Sequence, residues 1–133
     1  MGQVIAVVGV VVGAFGAVIA FLKWRRDEFH RQHKERREIY EATRKILYDV
    51  FHDGISEDAI REYRFRTLDA KFLFDEEMAS YLAELCQQIT LWYHAKLKSN
   101  QDEYKRIAHE ALQWIIAQGD EHTGFDVRFR SYL

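Results

Sequence analysis

A chain of 133 residues with a formal charge of −2 and one cysteine has room for a single domain beyond a membrane span. It cannot form an internal disulfide or a thiol-rich metal site. The charge is uneven: residues 23–37 hold seven Lys and Arg against three acids, a net of +4, whereas 38–133 hold twelve against eighteen, a net of −6. So acidic a body argues against a nucleic-acid surface, and no nucleic-acid partner is expected.

From Val4 to Leu22 no residue is charged. At 1.5 Å per residue this run covers about 28 Å, close to the hydrocarbon thickness of a bilayer, and it predicts a transmembrane helix over 1–22. Within it Gly2, Ala6, Gly9, Gly13, Gly16 and Ala20 recur at alternating spacings of four and three. A 3.5-residue repeat keeps one face toward a neighbour, and small residues on that face let two backbones approach where lipid offers no hydrophobic drive. These six positions are the expected oligomer interface between copies; a lone lipid anchor is the plainer alternative. A cleaved signal peptide is not expected, because Met1-Gly2-Gln3 carries no basic side chain and the run closes in Leu22-Lys23-Trp24-Arg25-Arg26. Ala6 stands where an N-myristoylation motif wants Ser or Thr.

Residues 23–38 read as a charged stalk. Lys23, Arg25, Arg26 and Arg31, with Trp24 at the interface, are expected to contact lipid headgroups. Positive charge is retained on the cytoplasmic side, so the N-terminus is expected outside and the following domain in the cytoplasm.

The remainder, 39–133, predicts a bundle of about four helices; it has no proline, and its only glycines are Gly54, Gly119 and Gly124. The first helix continues from the span through a stripe of Ile39, Thr43, Ile46, Leu47, Val50 and Phe51 to a stop at Asp53-Gly54. A second is expected from an N-cap at Ser56 to Phe72–Phe74, with Ile60, Tyr63, Thr67, Ala70 and Phe74 on one side. Asp75 is expected to cap a third, carrying Met78, Tyr81, Leu82, Leu85, Ile89 and Leu97 inward, with Cys86 a small buried residue among them. After a Ser99-Asn100 turn, Asn100 and Glu103 could form a capping box for a fourth. The tail alternates Phe125, Val127 and Phe129 and is expected to pack back as an extended or short helical segment.

The stretch Ala70–Leu82 (AKFLFDEEMASYL) and the closing Phe129-Arg130-Ser131-Tyr132-Leu133 resemble a pattern in small uncharacterised bacterial single-pass membrane proteins with a charged stalk and a helical cytosolic domain. The resemblance implies an all-α fold of that topology in a bacterial inner membrane. It implies no activity and no site residues.

Little in the sequence points to chemistry. His30 and His33 share a helix face but lack a HExxH-type carboxylate, and His52, His94, His109 and His122 are scattered, so no metal site is expected. Arg25-x4-His30 and Arg26-x6-His33 fit the loose Arg-x4–6-His spacing of HEPN ribonucleases, whose paired Arg and His act on the RNA backbone. A degenerate HEPN-like domain of the phage-defence type is thus an alternative by fold analogy alone. No Gly-rich phosphate loop, nucleophile elbow or Cys-x-x-Cys is present. The expectation is a non-enzyme without cofactors: a homo-oligomeric scaffold or pore-like assembly, or else a membrane tether for a soluble protein partner. Continued past Ala20, the seam meets Lys23, Asp27, His30, Lys34 and Arg37; a wide ring could hydrate these charges, whereas a tight dimer would press them together.

Overall fold

With no proline, and no glycine between Gly16 and Gly54, nothing interrupts the first helix, and α1 runs unbroken over Gly2–Phe51. The computed structural model describes the backbone of residues 2–98 and 100–133 and the side chains of 13–98 and 100–133. Five further helices follow among the described residues: α2 (Glu57–Thr67), α3 (Ala70–Leu73), α4 (Glu76–Leu97), α5 (Asp102–Ala117) and α6 (Phe125–Arg130), with no strand. The chain divides into two units, Met1–Lys34 and Glu35–Leu133.

The side chains of Gly2, Ala6 and Gly9, much of the Val4–Leu22 run, and Ser99 of the expected turn lie outside what is described. Among the described residues no helix is long and apolar enough to cross a membrane. The described part of the uncharged run, 13–22, supplies about 15 Å of helix, half a hydrocarbon core. The expected span is not supported by those residues alone.

In the second unit, α1 ends in a Schellman motif. The Gly54 N–H bonds the Asp49 carbonyl (2.8 Å) and the Asp53 N–H bonds that of Val50 (3.3 Å). Asp53, with φ 57°, takes the left-handed position that Gly54 was placed to fill; a short polar side chain tolerates it.

α2 starts as expected, with the Ser56 hydroxyl accepting from the Ala59 N–H (3.1 Å). It stops at Thr67 rather than running to Phe74. The Thr67 hydroxyl donates back to the Tyr63 and Arg64 carbonyls, both at 3.1 Å, and the Leu68 N–H tightens onto Phe65 O. Such local bonding bends and ends helices. The chain restarts as α3, whose Ala70 and Leu73 are both buried.

Asp75 caps α4 by accepting from the Met78 N–H at 2.8 Å. Met78, Tyr81, Leu82, Leu85, Cys86, Ile89 and Trp92 are buried, whereas Leu97 is exposed. The capping box at α5 does not form. Gln101 is the N-cap, without a side-chain bond, which leaves Asn100 one residue too early to reach the third helical position. The alternating tail is helical, so Phe125 and Phe129 share a face at i, i+4.

Two apolar clusters make the core. One joins Ile46, Leu47 and Val50 of α1 and Ile60 and Tyr63 of α2 to Leu85, Ile89 and Trp92 of α4 and Ala111 and Ile115 of α5. The other gathers Ile39, Leu73, Phe74, Met78, Tyr81 and Leu82 around Phe129, whose ring lies 5.3 Å from Tyr40 and 5.7 Å from Phe74, both edge-on. Thr43 is the polar exception. Its hydroxyl donates to the Ile39 carbonyl (2.8 Å) and lies 2.7 Å from the Tyr63 hydroxyl, so both buried groups are satisfied. At Gly124 any Cβ would collide with the Gln118 and Asp120 backbone, where the Phe125 N–H reaches back to Gln118 O (2.8 Å) to start α6.

Thr43→Val orphans the Tyr63 hydroxyl and should cost about 1–3 kcal/mol. Adding Tyr63→Phe should recover part of that, so a denaturant double-mutant cycle should be clearly non-additive. Gly124→Ala should cost about 2 kcal/mol or more through the same collision; chemical denaturation showing an unchanged midpoint would refute the close approach.

Candidate functional site

Two surfaces stand out, one on each unit. In the first unit, 13–22 is an exposed, uncharged stretch of α1. Phe15 is 67% exposed, and Val18, Ile19, Phe21 and Leu22 each more than half. Gly13, Gly16 and Ala20 of the expected seam fall three and four apart on one exposed face, and a Cβ at Gly13 or Gly16 would meet nothing within 4 Å. The expected headgroup residues Lys23, Trp24, Arg25, Arg26 and Arg31 are all exposed. Trp24 leans on Phe21, ring centres 6.2 Å apart. Arg31 bonds both oxygens of Glu28 (2.5 and 3.2 Å) and holds that carboxyl below its usual range.

The HEPN-spaced residues share this helix. Arg25, Arg26 and His30 are exposed, and His33 stacks on Phe29 at 6.1 Å. The two grooves described below have none of them in their walls. Among the described residues no three His, Cys, Asp or Glu converge as metal ligands.

In the second unit, a groove of about 850 Å³ runs along α4, walled by α2 and α3. Its floor is small, with Ala79, Ser80 and Ala83; Leu68 and Leu91 stand at its sides, and Arg64, Lys71, Glu76 and His94 supply charge. Sequence reasoning missed this groove because it followed only the buried stripe of α4. The signal was the opposite stripe of small residues, together with Phe65, Leu68 and Phe72, large apolar side chains three and four apart that the core does not use. A smaller hollow of about 220 Å³ is lined by Glu35, Glu38, Asp69 and Arg66 with Ile39 and Leu73.

Several titrating groups fasten the second unit's terminal segments. The Tyr132 hydroxyl donates to Asp75 (2.5 Å). That bond raises the tyrosine to about 12 and, with the Met78 N–H, lowers the Asp75 carboxyl. Tyr40 is raised in the same way by its bond to Asp126. Burial lifts Tyr81 to about 12 against the Arg128 guanidinium, which sits 4.3 Å over its ring; its hydroxyl donates to Gln118 Oε1 (2.7 Å). Burial raises Tyr63 further, opposed by its bond to Thr43. Asp120 is lowered by the His122 and Thr123 N–H groups. These are structural fastenings rather than an acid–base pair aimed into a cavity.

No family model, characterised protein or solved structure matches the chain.

Because the Asp75 carboxyl is depressed on folding, its contribution is complete above its unfolded value and fades as pH falls through the folded one. Tyr132, being raised, contributes fully below its ordinary value and loses that contribution as pH climbs through about 12. Asp75→Asn, which keeps a capping oxygen, should therefore melt below wild type at pH 7. The gap should close below about pH 3; melting curves with a pH-independent gap would contradict the linkage.

Proposed function

We propose that the chain is a single-pass membrane protein whose span, Val4–Leu22, associates with the same span of other copies along Gly2, Ala6, Gly9, Gly13, Gly16 and Ala20. The assembly is a scaffold or pore-like body that carries a helical bundle on the cytoplasmic face of a bacterial inner membrane. One observation carries the reading: residues 13–22 are uniformly exposed, uncharged and rich in large apolar side chains, and in the sequence they extend an equally uncharged run from Val4. In water such a face is unfavourable by roughly 25 cal/mol per Å²; lipid and neighbouring copies remove that cost. The open face at Gly13 and Gly16 suits close helix contact. The cationic collar behind it suits anionic headgroups and the inward orientation of the bundle.

The test is the native mass of the full-length protein extracted from membranes in mild detergent. Wild type should run as a homo-oligomer, and Gly13→Ile should fall to monomer while staying in the membrane fraction through an alkaline carbonate wash. Release by carbonate would overturn the span. A wild-type monomer, or a Gly13→Ile oligomer of unchanged mass, would overturn the seam and leave a tether for a soluble protein partner. RNA cleavage abolished by Arg25→Ala or His30→Ala would instead favour the HEPN-like alternative.

A further inference from the structure

The groove on the second unit has a lip of opposite character beside it. Phe65, Leu68 and Phe72 are 74%, 62% and 71% exposed. Spaced three and four apart along α2 and α3, they form a ridge of large apolar side chains along the outer edge of the wall that Leu68 shares with the groove. Across that wall the floor is built of Ala79, Ser80 and Ala83. One chain therefore carries a ridge and a groove side by side, the arrangement in which two copies related by a two-fold axis fill each other.

We propose that bundles of two copies dock in this way, the Leu68–Phe72 ridge of each copy seating over the Ala79–Ala83 floor of the other. Charge favours a second copy as the occupant. Elsewhere in the described residues the cations are matched: Arg61 pairs with Glu57 and Asp58, Arg66 with Glu62, and Lys96 with Asp53. At the groove, Arg64 reaches only the neutral Thr90 hydroxyl (2.9 Å), and Lys71 lies over the Phe72 ring. Neither meets a carboxylate among the described residues, and Glu76 in the same lining has no described cationic partner. Both signs thus stand open on one face of a body whose sequence is otherwise acidic, and the exchange that seats the ridge brings Arg64 and Lys71 of one copy to the Glu76 side of the other. The inference rests on the self-associating span, which would hold copies at high effective concentration and let a modest second contact form.

The test uses full-length protein in native membranes, with Cys86→Ala removing the natural thiol. Two differently tagged populations are co-expressed, one carrying Phe72→Cys and the other Ala83→Cys, and treated with a short bis-maleimide. The mixed-tag dimer should form at least tenfold above a control in which Arg106→Cys on α5 replaces Phe72→Cys. Adding Leu68→Glu should return it to the control level. Yield at the control level without Leu68→Glu, or yield insensitive to Leu68→Glu, would overturn the docking. The seam is read separately from the detergent mass of Gly13→Ile, so either contact can fail while the other stands.

Discussion

Two helices reach deep into both apolar clusters, and the bundle depends on that double engagement. α1 puts Ile39 into the cluster around Phe129 and Ile46, Leu47 and Val50 into the other. α4 does the same with Leu82 on one side and Leu85 and Ile89 on the other, all three fully buried. Neither helix can shift its register without disturbing both clusters, since each buried stripe repeats every three or four residues. The Thr43–Tyr63 hydroxyl pair adds a directional constraint to what is otherwise shape packing. A buried polar pair tolerates few alternative registers, because a slip leaves two groups without partners.

How much of this was readable follows from the range of the forces involved. Ser56, Asp75 and the Asp53-Gly54 stop were legible because capping and chain termination are decided within a few residues. The inward faces of α1 and α4 were legible because their apolar spacing is strict. The break at Leu68-Asp69 was not: Thr67 is an ordinary helical residue in sequence, and only its hydroxyl, bonded to two carbonyls behind it, marks the end. The tail misled for a related reason. Phe125, Val127 and Phe129 alternate as in a strand, yet Tyr40, Phe74 and Phe129 meet edge-on only when that segment is helical. The groove escaped because small residues on a helix carry no pattern until a neighbouring wall makes a hollow of them.

The exposed apolar side chains divide into two populations with different physical meaning. Phe15 through Leu22 lie on a stretch without a single charge, bounded by a cationic collar. Such a face has no adequate solvent in water. Phe65, Leu68 and Phe72 instead stand among Arg61, Arg64, Arg66 and Lys71, so that patch is wetted at its margins. A surface of that mixed kind suits contacts that form once molecules are already held near each other.

The Tyr40 hydroxyl bonds an acid 86 positions away in the chain, and Ile39 beside it shares a cluster with Phe129. During biosynthesis α1 is made long before its aromatic counterpart exists. Through most of translation the inward face of α1 at this level therefore lacks its closing layer, and the nascent protein presents that face to whatever holdase or membrane surface is nearest.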